Sequence, residues 1–461
     1  MQTPNLANVL SLLDTRRDAA VASLIEFLKI PSVSTKPQHA PDMSRCADWL
    51  SRQLAAAKLN ARVLPTAGHP IVLATNRHQS GRPTVLLYGH YDVQPPEPLD
   101  LWTSPPFAPA IRDGALFARG ASDDKGQVWA HVQAIAAWQD SGGLPVNLTL
   151  LIEGEEEIGS DHLPPFVGEH RDVLKADIAL VSDTNQFARG IPAVCVGLRG
   201  LVYMEVSITG PDHDVHSGLW GGAVPNPANI LCELLATLHD ASGKVNIPGF
   251  YDNIIDPTPR ERQQWADLPF DDAATAGSMK LKTLTGEPGY TNIERTWSRP
   301  TCDINGLTSG YQGPGAKTII PSTASAKVSM RLVPGQDPQR IIERFETALR
   351  SRCPSTVHID ITRHSHTPAV LVPVDSPAMK LAAQAVEIGF GKSPTFIRGG
   401  GSIPVVALFK SLLNIDTLLV GFGLPDDRVH SPNEKFDLDS FHSGTRTAAA
   451  LYDRLANLTM G

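Results

Sequence analysis

Three short apolar runs, each closed by polar or acidic residues, constrain the fold of this chain more than any other feature. Val85-Leu86-Leu87-Tyr88, Leu148-Thr149-Leu150-Leu151-Ile152 and Ile178-Ala179-Leu180-Val181 have the length of strands and the near-continuous apolar character of strands buried on both faces. A helical stretch, Gly126 to Gln139, lies between the first two. Strand, helix and strand in that order predict an α/β sheet. Reacting groups in such sheets gather where strands end, at the carboxyl edge, so the polar residues that close each run are the first candidates for function.

The rest of the chain predicts a second domain. A length of 461 residues exceeds what one ordinary core organises. The first sixty residues read as two helices, with Val9, Leu10, Leu13, Val21, Leu24, Ile25 and Leu28 at helical spacing. After Gly200 the texture changes: Val202, Met204, Val206 and Ile208 alternate with other residues, as does the segment Ala326 to Leu332, which predicts half-buried antiparallel strands. A helix near Pro227 to Leu238 and a long irregular stretch rich in Pro and Asp separate them. From Pro373 the chain returns to helix and strand, with Leu418-Leu419-Val420 a further buried strand. The expected organisation is a first domain of residues 1–198 and 373–461 with a second, residues 199–372, inserted into it.

Composition removes several classes of function. Forty basic against 48 acidic side chains give a net charge of −8, which offers no footprint for nucleic acid. No apolar run is long enough to span a membrane, and the start of the chain lacks the pattern of a signal peptide, so the expected location is the cytoplasm and the expected partner a small molecule. Five cysteines are scattered singly, without CxxC pairing, and read as buried thiols. Fifteen histidines, several beside acids in apolar settings, make metal chemistry the first to test.

The strand ending Gly89-His90-Tyr91-Asp92-Val93 places His90 and Asp92 on one face, where a carboxylate can accept the second ring N–H of a ligating imidazole. On its own an HxD pair is more often an ordinary hydrogen bond. Asp123 and Asp124, in Arg119-Gly120-Ala121-Ser122-Asp123-Asp124-Lys125-Gly126, precede the helix; Asp124 suits a helix cap, whereas the two oxygens of Asp123 could bridge two cations. Glu153-Gly154-Glu155-Glu156-Glu157 follows a buried strand, where mutual repulsion calls for a cation and one acid can ligate while its neighbour serves as general base. Asp183 at a strand end and His430 in Asp427-Arg428-Val429-His430-Ser431-Pro432-Asn433-Glu434 complete a mixed nitrogen and oxygen donor set suited to zinc, with manganese or cobalt as substitutes.

In order and spacing, these five segments resemble the dinuclear zinc hydrolases that include aminoacylase, carboxypeptidase G, succinyl-diaminopimelate desuccinylase and the carnosinase-type dipeptidases. The resemblance implies a zinc-exopeptidase-like catalytic domain, a mixed and mostly parallel sheet flanked by helices, with an inserted α+β domain acting as lid and homodimer contact. It implies that His90 and Asp183 hold one ion, Glu157 and His430 the other, and Asp123 both. Glu156 would be the general base acting on a water held between the ions, and Asp92 the partner of His90. A cis peptide between Asp123 and Asp124 is implied as well. His216, in Asp212-His213-Asp214-Val215-His216-Ser217-Gly218, resembles the histidine that enters the partner subunit's site and stabilises the oxyanion; spacing alone would make it a surface residue.

Within that group the likeness is greatest to the carnosinase-type dipeptidases, through Gly315-Ala316-Lys317-Thr318-Ile319-Ile320-Pro321, the strand ending Met330-Arg331-Leu332 and Gly400-Gly401-Ser402-Ile403-Pro404. It implies that Arg331, Thr318, His364 and Ser402 bind the substrate's carboxylate end or backbone, a task the planar fork of Arg331 suits. One position departs from the pattern: Gly399 stands where the resemblance implies a glutamate for the substrate's free amine. The expected activity is therefore hydrolysis of the amide bond of dipeptides or small peptide-like substrates. Deacylation of N-acyl amino acids, or desuccinylation, is the alternative, and a catalytically silent metal-binding protein is the alternative of another class.

Overall fold

The structure is a computed structural model and describes residues 4–459. The chain divides into two compact units: the first holds the residues up to Val196, Val372–Ile397 and those from Pro404 onward, the second Gly197–Leu371 and Arg398–Ile403.

The first unit is built on a mixed sheet whose strands run in the order Asn60–Leu64, Ile71–Thr75, Asn147–Glu153, Thr84–His90, Ile178–Val181, Thr417–Leu419 and Ala193–Leu198. The four from Asn147–Glu153 to Thr417–Leu419 are mutually parallel, and antiparallel strands flank them. Every residue of Asn147–Glu153 is buried, as a strand covered on both faces requires. Parallel pairing brings the carboxyl ends to one edge: His90 lies in register with Glu153, and Tyr88 with Val181, two residues short of Asp183.

Helix Lys125–Asp140 is enclosed almost all round, packed on the helices Pro4–Thr15, Arg17–Leu28 and Leu438–Leu455. This is why it reads as apolar on every side, with Trp129 and Trp138 fully buried. Gly89 lets this helix approach: a Cβ there would lie 2.5 Å from Val128 Cγ2 and 2.9 Å from Asp124 Oδ2. Up to residue 60 the described residues form three α-helices rather than two. The third, Ala40–Ala56, carries its own stripe of Met43, Cys46, Ala47, Leu50 and Leu54, set apart from the earlier stripe by the Pro31 and Pro37 turns.

The second unit has a four-stranded antiparallel sheet in the order Thr301–Ser309, Thr323–Leu332, Gly200–Thr209 and His358–Thr367. Val202, Met204, Val206 and Ile208 alternate inward and pack under helices Pro227–Ala236 and Pro338–Arg352 with Val328, Met330 and Phe345. The stretch expected to be irregular holds three short helices, Pro259–Ala266, Asp272–Ser278 and Asn292–Trp297. Two of them start with capping boxes, Thr258 with Glu261 and Thr291 with Glu294, a spacing visible in the sequence that proline content obscured.

Candidate metal centre

The edge formed by the parallel strand ends collects the polar residues that closed the apolar runs. His90 ends its strand fully buried, and its Nε2 lies 3.1 Å from Asp123 Oδ1 and 4.0 Å from Asp183 Oδ2. It is neither aligned for a hydrogen bond with the first nor close enough to the second, which leaves a buried nitrogen without a partner. Asp123 turns its other oxygen to a different imidazole: Oδ2 is 3.0 Å from His430 Nε2, which in turn is 3.2 Å from Glu157 Oε2. His90, Asp123 and Asp183 form one group of potential ligand atoms and Asp123, Glu157 and His430 a second, each with its atoms within 4.8 Å of one another. Asp123 belongs to both.

This donor set fits divalent cations. Two imidazoles and three carboxylates converge, one nitrogen is orphaned, and one carboxylate faces two ways, as two ions roughly 3.5–4 Å apart require. Electrostatics point the same way. Burial pushes the Glu156 carboxyl up to about 9, with His90 pulling against Asp183, Glu157 and Asp123. Burial, then repulsion from Asp123, takes Asp183 up to about 7. Burial pulls His90 down, but Asp123, Asp92 and Glu156 outweigh it and hold the ring well above its ordinary value. The Asp123 and Glu157 carboxylates raise His430 to about 10. Without added positive charge, burial and then mutual repulsion favour the protonated forms of Glu156 and Asp183.

Local structure fixes each group. Asp92 lies beyond the strand end; His90 Nδ1 is 3.1 Å from its carbonyl oxygen and 3.5 Å from Oδ1. The Asp92 carboxylate also accepts the Glu156 amide at 3.3 Å and the Glu157 amide at 3.1 Å, so it anchors the acidic turn as well as the imidazole. Asp124 does not cap its helix through its side chain: Oδ2 faces the His90 amide at 3.3 Å, toward the sheet. The Asp123–Asp124 peptide is cis. His430 sits at φ +60°, between Arg428 at +57° and Asn433 at +62°, conformations that side chains other than Gly rarely adopt.

The other candidates lie in the second unit. His216 is exposed, and its Nδ1 accepts the Gly218 amide at 2.9 Å, so the neutral ring carries its proton on Nε2, which has no acceptor among the described residues. The Thr318 carbonyl oxygen accepts the Ser217 amide at 3.1 Å. Arg331 donates to Ser402 Oγ at 3.1 Å and is half-buried; among the described residues no carboxylate pairs with it. His364 Nε2 is 3.0 Å from Glu205 Oε2. Arg398, beside Gly399, is buried against Glu261 at 2.6 Å.

Sequence reasoning passed over Gln94, whose Nε2 donates to Glu157 Oε2 at 2.8 Å. No periodicity pointed to it, because the strand ends at His90 and Gln94 lies in the irregular segment that follows. It also gave Glu153 no separate place; that side chain is buried under the Tyr88 hydroxyl at 2.6 Å.

A mixed α/β unit presenting this donor set at the strand ends defines a metal-dependent hydrolase. The family model of peptidase family M20/M25/M40 matches residues 86–454. Cys-Gly metallodipeptidase dug1 of Schizosaccharomyces pombe is 31% identical, over 99% of this chain and 99% of that protein. Beta-Ala-His dipeptidase of Homo sapiens is 30% identical, over 98% of this chain and 93% of its own length. The solved structure of an M20 family metallo-carboxypeptidase from Sulfolobus solfataricus superposes with a TM-score of 0.86 at 32% identity, covering 95% of this chain and 99% of that one. The chain belongs to the M20/M25/M40 peptidase family, among its carnosinase-type members.

Proposed function

We propose that this protein hydrolyses the amide bond of dipeptides or small peptide-like substrates, using two divalent cations, zinc for preference, with His90 and Asp183 on one, Glu157 and His430 on the other and Asp123 on both. The observation that carries this reading is Asp123 itself, with one oxygen 3.1 Å from His90 and the other 3.0 Å from His430. The relatives named for dipeptide hydrolysis, matched over nearly their whole length, support the substrate class.

When bound, the cations would polarise the scissile carbonyl and make a water acidic enough to react near neutral pH. Glu156, outside both ligand groups yet next to Glu157 in the chain, accepts the proton of that water and delivers it to the departing nitrogen. Asp92 holds His90 and the Glu156 amide in place. The free Nε2–H of His216 is the donor for the developing oxyanion, and Arg331, with Ser402, Thr318 and His364, recognises the substrate's carboxylate end or backbone.

We further propose that residues 199–372 act as an inserted lid and homodimer domain, supported by Leu219 and Trp220, which are 76% and 51% exposed and follow closely on His216 in the chain. A cytoplasmic location is supported by five thiols that form no disulfide; no described helix is long and apolar enough to cross a membrane. The deciding experiment sets metal-loaded wild type and Glu156→Gln against free and N-acylated dipeptides. Wild type cleaves free dipeptides and loses this on chelation, while the variant keeps its metal and loses turnover by roughly 10²–10⁴-fold. A variant as active as wild type refutes the assignment.

A further inference from the structure

Glu434 lies four positions beyond His430, is fully buried and belongs to neither group of potential ligand atoms. Its carboxylate grips the backbone that leads to Asp123. Oε2 accepts the Gly120 amide at 2.9 Å, and Oε1 accepts the Ser122 and Asp123 amides at 3.0 and 3.1 Å. Arg119 adds a charge-assisted bond to Oε2 at 2.7 Å, and the Ala118 amide donates to the Glu434 carbonyl at 3.1 Å. On the other side of His430, Asp427 Oδ2 accepts the Ser122 hydroxyl at 2.9 Å. Both flanks of the His430 loop are thus tied to the turn that carries Asp123.

A buried ion pair with Arg119 would need only one of the two oxygens. The three amides engaged here include that of Asp123 itself, so the Asp123 backbone cannot withdraw without leaving buried donors unpaired. The loop at the other end holds Arg428, His430 and Asn433 at positive φ, and such conformations persist only where the surroundings impose them. We propose that Glu434 is a positioning residue that sets the placement of Asp123 against His430, and so governs the fold's affinity for the cation these two share, without touching it. The proposal rests on reading Asp123 and His430 as ligands.

The test is a titration of metal-free wild type, Glu434→Gln, and Glu434→Gln combined with Arg119→Met, with cobalt(II) alone, followed by its visible absorption. A His430→Ala protein identifies which binding step belongs to the shared cation. Glutamine turns one of the two acceptor oxygens into a donor group facing backbone amides. Both Glu434 variants are expected to bind that cation about 10–100-fold more weakly than wild type, as is usual when a partner of a ligand is lost. The double variant removes the buried pair whole and spares the fold an unpaired charge, so it decides the matter if the single one does not fold. Folded variants that bind both cobalt ions with wild-type affinity overturn the proposal, whatever their melting temperatures. A wild type that binds no cobalt overturns the metal-centre reading instead.

Discussion

Loading the metal-free protein with zinc should release protons, and the structure sets how many. In the folded chain without cations, His430 titrates at about 10, His90 well above its ordinary range, Glu156 at about 9 and Asp183 at about 7. At pH 7.5 the His430 imidazole is therefore charged and Glu156 is neutral, and the carboxylates around His90 favour its charged form as well. A nitrogen must lose its proton to bind a cation, which accounts for two. Two dications beside Glu156 offset the burial that kept it neutral and the repulsion from its neighbouring carboxylates, which frees a third, and Asp183 gives up a fraction. The release is about three protons per subunit, so the affinity for the pair of ions rises roughly 10³-fold per pH unit near neutrality. All four groups bind more protons folded than unfolded, so the metal-free fold weakens as pH rises. For Glu156 this loss runs from about 4.5 up to about 9 and for Asp183 from about 3.8 up to about 7; for the imidazoles it runs from about 6.5 upward. Asp123 is held low by His430 and His90 against the effect of burial, and its contribution is lost only in acid. The gap in melting temperature between metal-free and loaded protein should thus widen from pH 6 to 9. Calorimetric titration in buffers of differing ionisation enthalpy counts the protons. A count near zero, or an affinity flat across pH 6–8, would refute the reasoning.

Two further outcomes follow from the second unit. Replacing Arg331 by Met should raise KM about 10–100-fold with little change in kcat, the effect of losing about 1.5–3 kcal/mol of charged hydrogen bonding to a carboxylate, and Lys should not restore it; an unchanged KM for dipeptides would remove Arg331 from substrate binding. Mixing inactive His216→Ala and Glu156→Gln proteins should regenerate activity if His216 serves the partner's centre. A verified mixed dimer with none would assign His216 elsewhere.

Much of the fold was legible because burial on two faces leaves a signature that needs no context. The runs ending at Tyr88, Ile152 and Val181 became adjacent parallel strands, and the alternation from Val202 to Ile208 became an antiparallel strand with those four residues inward. What was misread had weaker or masked signals. The helix Ala40–Ala56 was overlooked because its stripe begins after two proline turns, and the short helices after Thr258 and Thr291 because proline outweighed their capping boxes. Asp124 stands where a helix cap would, yet its side chain turns to the His90 amide, and position alone does not fix a rotamer.

The sequence by itself determined which side chains could do chemistry, since strand ends, glycine-flanked acids and isolated histidines carry that information in residue type and order. Only the tertiary structure decided that Asp123 faces His90 with one oxygen and His430 with the other, that Asp92 anchors the acidic turn, and that Glu434 grips the turn before Asp123. These facts join residues up to about three hundred positions apart in the chain, and a contact between distant residues is set by how strands order and loops fold back, which no local spacing encodes.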